Sequence, residues 1–586
     1  MPAVWVYPVL ALVGLAIYRI LQIGSRPKDF PPGPPTIPIL GNLHLMPKEN
    51  GHVQFKKWAE EYGPVYSLMM GPNVMIVFSS DQAVKDTFDK KSSIYSSRPE
   101  VYIARTVGGS HKVDGGYRVL NMPYGDRWRM AHRVYHSILN IRAAKSFVPY
   151  QDLENKQMLQ GFLENPDSFI DHLRRYSFSL TTQMIYGFRT PTLDDWRLKS
   201  LFHNLHQFSK AMGTASAMIL DMFPPLRALP DALLPSRAHA KNLHDIELKF
   251  HKGNWLDVKK KLKAGTAKPS LCVDLIKAQD AEGFSDEQAG YIAGNLLEAG
   301  ADTTAAQLTG FVQAMLLYPE VQKKAQEELD RVCGGRLPTM EDWDDLPYIR
   351  ACVKETNRWM PTAILGIAHS NNKEDVYMGY RIPKDSMCVV NVWAIHMDPK
   401  RHANPSVFDP ERFIGDNTTS QESSQQRDVS KRDTFLFGAG RRVCQGMHIA
   451  DRSMFLAISR LLWGFRMEVP LDQATGKPLT PDPSRLIPGM LVQPEPFPAA
   501  RDDRGVWEKQ RDAVVSARSA GSTGVVSVKG TGYDCPPTTS TVPSGRATPL
   551  ANARAYAMLG SFVTVGAAPT LPSLIKCALG VAFESW

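Results

Sequence analysis

Cysteine is scarce here: 586 residues hold only seven, at 272, 333, 352, 388, 444, 535 and 577. An odd, scattered set is no disulfide framework and fits a reducing compartment. There is no Cys-x-x-Cys and no Cys/His cluster, which excludes a four-ligand structural zinc site. No internal repeat of about 20–50 residues exists, which excludes solenoids and propellers. Charge of one sign is also in short supply. The net charge of +9 is spread thinly, too diffuse for nucleic acid but compatible with an acidic partner or a membrane surface. Charged side chains are missing altogether from Met1–Tyr18 and are thin over Ser519–Trp586.

That first gap has a positive meaning. Residues 1–24 read as one uncharged run broken only by Arg19, long enough for the roughly 20 residues that cross a bilayer. Arg26 and Lys28 follow on the C-terminal side only, which places the rest of the chain in the cytoplasm. The competing reading, a cleaved signal peptide, lacks a basic leading region and a small-x-small site. Residues 25–53 contain Pro31-Pro32-Gly33-Pro34-Pro35 and read as a stiff hinge and linker. Residues 54–515 form the body. Residues 516–586 are a low-complexity tail, expected to be disordered, and Asp416–Lys431 reads as a surface loop.

Within the body the pattern is mainly helical with small sheets. Val65–Met70 and Val74–Phe78 flank Gly71-Pro72-Asn73 and predict a hairpin. Ser285-Asp286-Glu287-Gln288 is a capping box, opening a helix that Pro319 stops. Glycines at 290, 294, 300 and 310 lie inside it. They cost helix stability, so they mark either close approach of something flat or tight helix crossings.

The decisive segment is Phe435-Leu436-Phe437-Gly438-Ala439-Gly440-Arg441-Arg442-Val443-Cys444-Gln445-Gly446. A lone cysteine sits in a Gly-rich turn just before a helical pattern, where the helix dipole and free N–H groups favour thiolate. Gly440 and Gly446 allow the backbone to approach a flat ligand. Arg442 offers a cation to an anionic group. A thiolate with one open side suits the axial ligation of haem iron.

Phe437-x-x-Gly440-x-Arg442-x-Cys444-x-Gly446 resembles the haem-binding signature of the cytochrome P450 family. Ala299-Gly300-Ala301-Asp302-Thr303-Thr304, Glu355-x-x-Arg358 and Pro410-Glu411-Arg412-Phe413 are similar to three further family motifs, in the right order, as is the anchor followed by a Pro-rich hinge. Within the family the chain looks most like fungal microsomal members of the O-methylsterigmatocystin oxidoreductase type.

The resemblance implies a cytochrome P450 fold: a single large haem domain, mainly α with small β-sheets, behind an N-terminal transmembrane helix in the endoplasmic reticulum membrane, the catalytic domain being cytoplasmic. It implies haem b with Cys444 as the iron ligand, cradled by Phe437, Gly440, Gly446 and Ala299. Candidate propionate partners are Trp128, His369 and Arg442. His132 stands where the family usually has Arg, so Arg133 or Arg129 is a candidate substitute. Asp302 and Thr303 would handle protons for bound dioxygen. Glu355, Arg358 and Arg412 would form a buried structural cluster. Electrons would come from NADPH through cytochrome P450 reductase, with cytochrome b5 as a further candidate donor. Arg127, Arg129, Arg133, Arg441 and Arg442 would suit an acidic partner face. The implied reaction inserts one atom of O2 into a small apolar substrate in fungal secondary-metabolite biosynthesis, touched by Pro99–Met122, Asn295, Glu298, Ala299 and Thr362–Ile367. Two alternatives stay open: a member that rearranges or dehydrates without O2, and a non-enzymatic haem-binding membrane protein.

Overall fold

The computed structural model describes residues 3–503; the expected tail, Cys535 and Cys577 lie outside the described residues. The uncharged run forms helix α1 (Ala3–Gln22). Its described side chains, at 7, 8 and 10–22, are all exposed. Among the described residues no helix is long and apolar enough to cross a membrane. The span expected over 1–24 is therefore present as a helix, but not as a described membrane-length apolar one.

The Pro-rich stretch is docked, not a free linker. Arg26 donates to the carbonyls of Gly33 (2.8 Å), Pro34 (2.9 Å) and Ser67 (3.0 Å) and to Ser67 Oγ (2.9 Å). Asn42 donates to the carbonyls of Pro34 and Pro35 and accepts from Met69 N at 2.8 Å. Proline has no N–H to give, so these carbonyls need side-chain donors. Arg26, counted above as a charge beside the anchor, is committed to this clamp. A helix already begins at Gly51, ahead of the boundary at 54.

The predicted hairpin forms: β1 (Val65–Met70) pairs antiparallel with β2 (Asn73–Phe78), Val65 opposite Phe78 and Met70 opposite Asn73. The chain then turns helical through α2 (Asp126–Leu139), α3 (Phe169–Tyr186), α4 (Trp196–Met212), α5 (Pro235–Lys263), α6 (Asp286–Leu317) and α7 (Pro347–Trp359). It returns to the sheet as β3 (His369–Ser370) and β4 (Met387–Val390), giving the order β1-β2-β4-β3. Helix α8 (Met447–Gly464) follows the cysteine loop.

Helix α6 begins where Ser285 Oγ accepts from Gln288 N and ends before Pro319, as predicted. At 1.5 Å per residue its 32 residues reach about 48 Å, enough to run through the core between α3, α5 and α8. Its glycines serve helix crossings rather than a flat partner. A methyl at Gly290 would lie 3.0 Å from the Lys252 backbone on α5, and one at Gly300 2.8 Å from Thr181 Oγ1 on α3. The stretch Asp416–Lys431 is not a free surface loop either. Ser420 donates through N and Oγ to Asp451 on α8, and Lys354 reaches Asp416 at 2.7 Å.

Candidate active site

Cys444 lies in the turn between a short 3-10 segment, Gly440–Arg442, and α8, whose N-cap is Gly446. Its amide donates to the Phe437 carbonyl at 2.9 Å, closing the loop on itself. The side chain has accessible surface, yet burial pushes its thiol pKa up, while the N–H groups of Gly446 and Met447 draw it back down. That combination places the accessible face inside the body, with two donors already set for a sulfur anion.

The two glycines of this loop differ in task. Gly440 has φ +62°, its amide donates to Asp89 Oδ1 at 2.8 Å, and a Cβ there would sit 2.1 Å from the Phe88 carbonyl oxygen. Its role is to seat the loop on the backbone of 88–89, not to face a flat ligand. At Gly446 a Cβ would meet only Cys444 Sγ, at 3.8 Å, so this glycine keeps the approach to sulfur open. Gly440→Ala should therefore lose at least ~2 kcal/mol of stability, and Gly446→Ala under ~1 kcal/mol. Urea unfolding of both variants checks this; equal midpoints would contradict it.

Next to the loop is a cluster of cations. Arg442 donates to the carbonyls of Ser96 (2.9 Å), Met122 (2.7 Å) and Val119 (3.4 Å), and its guanidinium lies 4.3 Å over the Trp128 ring on α2. Arg98 donates to the carbonyls of Leu120, Ile367 and Ala368. Burial draws Arg442 down to about 8, aided by Arg98, and draws Arg98 itself down to about 9. Among the described residues neither has a carboxylate partner. His369 is at the sheet edge, Nδ1 2.7 Å from the Tyr95 carbonyl; burial and the same two arginines hold it well below the usual imidazole range. His132 packs against Trp128, ring centroids 4.5 Å apart and tilted by 39°, and burial, His136 and Arg442 lower its pKa. Trp128, His132, His369 and Arg442 thus come together, with Arg98 added. Arg133 does not join them: it is exposed and pairs with Glu282 at 3.1 Å. Arg129 pairs with Asp126 at the surface.

On α6, Ala299 is exposed between buried Leu297 and Ala301, in the middle of an otherwise enclosed helix. Thr303, one turn on, donates its hydroxyl back to the Ala299 carbonyl at 2.6 Å, the local bond a mid-helix threonine favours. Asp302 faces α3. Burial raises its pKa, Arg174 partly offsets this and Glu298 adds to it. Glu298, expected to touch substrate, is engaged by Arg118 and His251.

Glu355, Arg358 and Arg412 come together. Glu355 and Arg358, both fully buried, make paired bonds of 2.6 Å, Asp409 N donates to Glu355 at 2.7 Å, and Arg412 Nε approaches it to 3.4 Å. The sequence reading missed the residue that links this cluster to the cysteine loop. His396 Nδ1 lies 3.0 Å from the Arg358 carbonyl and Nε2 accepts from Phe435 N at 2.8 Å. Burial holds this imidazole neutral, so Nδ1 carries the proton and donates.

Residues 31–497 match the family model described as Cytochrome P450. The chain belongs to the cytochrome P450 family. It is 52% identical over 499 residues to the cytochrome P450 monooxygenase virE of Hypocrea virens, covering 85% of this chain and 90% of that protein. It is 50% identical to fogE of Aspergillus ruber (83% and 89% covered) and 48% identical to fsoB of Humicola fuscoatra (83% and 89%), both also cytochrome P450 monooxygenases. Family membership implies haem, and the donor set fits it. A cysteine with an open inner face would hold the iron, and the buried Arg98 and half-buried Arg442, without carboxylate partners among the described residues, would hold the anionic edge of a P450 haem.

Proposed function

We propose that this cytochrome P450 is a haem-thiolate monooxygenase that inserts one atom of O2 into a C–H or C=C bond of a small apolar organic substrate, in fungal secondary metabolism. The observation that carries this reading is Cys444: accessible inside the body, with the Gly446 and Met447 amides aimed at its sulfur. Haem, when bound, supplies the oxidising chemistry. The protein's own residues ligate, orient and move protons. Arg98, Arg442, Trp128 and His369 orient the propionates. Asp302, whose pKa burial raises, is a proton source from the α3 side, and Thr303 carries protons on the accessible face once its hydroxyl leaves the Ala299 carbonyl.

Two electrons come from NADPH through a cytochrome P450 reductase, with cytochrome b5 as a second donor, at a face that includes exposed Arg129, Arg133 and Arg441. Helix α1 anchors the protein in the endoplasmic reticulum membrane with the body in the cytoplasm; exposed Leu10, Leu12, Leu15, Ile17 and Ile20 support this. The catalytic domain begins ahead of residue 54, with the helix at Gly51.

The test is reconstitution with a reductase and extracts of the metabolites that accumulate when the gene is removed. Product containing one 18O atom from 18O2, only with NADPH and reductase, is the expected result. Turnover without O2 or reductase would assign the protein to the rearranging or dehydrating class instead.

A further inference from the structure

Away from the cysteine loop, a second buried group of charges joins the helices that surround α6. Arg118, only 3% exposed, donates to Glu298 Oε2 at 2.7 Å, to Glu298 Oε1 at 3.1 Å and to Glu247 Oε1 at 2.8 Å. Glu298 lies on α6, directly before the accessible Ala299, and Glu247 lies on α5. The Arg118 guanidinium also lies 4.2 Å over the Phe208 ring of α4. One side chain from a loop thus touches three helices. His251 of α5 completes the group, with Nε2 3.2 Å from Glu298 Oε1.

The same loop is fastened at both ends. Upstream, the Val107 carbonyl lies 2.9 Å from His244 Nδ1, and Tyr117 stacks on Tyr291 of α6 at 5.4 Å and 11°. Downstream, the carbonyls of Val119, Leu120 and Met122 are held by Arg442 and Arg98. Residues 107–122 therefore run from α5 and α6 to the cysteine loop, forming a wall that joins them. Arg118 bridges the two buried carboxylates of α5 and α6, with His251 beside Glu298. Without it, Glu247 and Glu298 face each other in low dielectric, where like charges repel strongly.

We propose that Arg118 is a positioning residue: by pinning residues 107–122 to α5 and α6 it sets how freely a bulky substrate reaches the space above Cys444. The proposal rests on the haem-thiolate reading for where the substrate goes. It goes beyond that reading because Arg118 acts through Glu247, Glu298 and Phe208, by holding the chain in place. The latch is charge-specific. A lysine in its place keeps one ion pair but cannot span both carboxylates with a planar fork.

The experiment uses the full haem-loaded chain, comparing wild type with Arg118→Met, Arg118→Lys and Glu247→Gln. Stopped-flow binding of 4-phenylimidazole, read by its Soret shift, should speed up about tenfold in both association and dissociation for R118M (about 1.4 kcal/mol in each barrier). R118K and E247Q should shift the rates the same way by less. The reduced carbon monoxide band should stay intact, which separates a changed wall from a damaged thiolate site. Hydrogen exchange should rise in 107–122 and not in α8. Unchanged rates and unchanged exchange at 107–122 in R118M would overturn the proposal. Should R118M fail to fold, E247Q decides by the same two readouts. A wild type without a thiolate-type band would remove the haem reading, while exchange at 107–122 would still test the pinning by Arg118.

Discussion

Cys444→Ala should abolish the thiolate-type reduced carbon monoxide band and reduce oxygen insertion below detection, while leaving the fold in place. Both halves follow from local structure. The Gly446 and Met447 amides aimed at the sulfur belong to the start of α8 and do not close the loop. The loop is closed instead by its backbone, Cys444 N to the Phe437 carbonyl, and by Gly440 seated on Asp89. Removing the sulfur therefore costs little packing, whereas no other described cysteine can substitute for it, because Cys272, Cys333, Cys352 and Cys388 are all buried. Far-ultraviolet circular dichroism and the carbon monoxide difference spectrum, run on the same preparation, separate the two effects. A surviving thiolate-type band in the variant would refute the assignment of Cys444.

Glu355→Gln should be the most destabilising isosteric change in the body, at about 3–5 kcal/mol. Arg358 is fully buried and reaches the carbonyls of His396 (3.2 Å), Pro405 (2.7 Å) and Val407 (3.0 Å). Glu355 supplies its only countercharge among the described residues, and Asp409 N also depends on it. Neutralising the carboxylate leaves a guanidinium buried without a countercharge. Strain then passes to residues 405–409 and, through His396, to Phe435 at the start of the cysteine loop. The expected reading is a lower urea midpoint together with partial loss of the thiolate-type band. A midpoint within about 0.5 kcal/mol of wild type, the scatter of ordinary surface changes, would show that the cluster is not what holds the loop.

Much of this was legible from sequence because the signals are local. A cysteine three residues before a helix, a capping serine, a Gly-Pro turn between alternating strands and a carboxylate three residues before an arginine each carry their geometry within a few positions. What stayed hidden depends on partners far along the chain. Arg98, Arg118 and His396 look like ordinary polar residues in sequence, and their meaning comes from carbonyls or carboxylates more than a hundred positions away for the first two. His396 links Arg358 to Phe435, each nearly forty residues off. Gly440 misled for a related reason, and the glycines of α6 left two readings open. Sequence shows that something comes close to a glycine but not what, and here it is Lys252, Thr181 and the Phe88 carbonyl. Asp416–Lys431 has the composition of a free loop, yet two of its serines find a buried acid each: Asp451 for Ser420, Asp433 for Ser423.

The Arg26 clamp sets where the chain can be shortened. Residues before Ser25 can be removed without touching a bond to β1, but trimming through Pro35 would take away Arg26 and the carbonyls that Asn42 and Ser67 use. Crystallisation forms freed of the apolar helix should therefore begin at Ser25 and keep the whole proline run as the outer seam of the first strand.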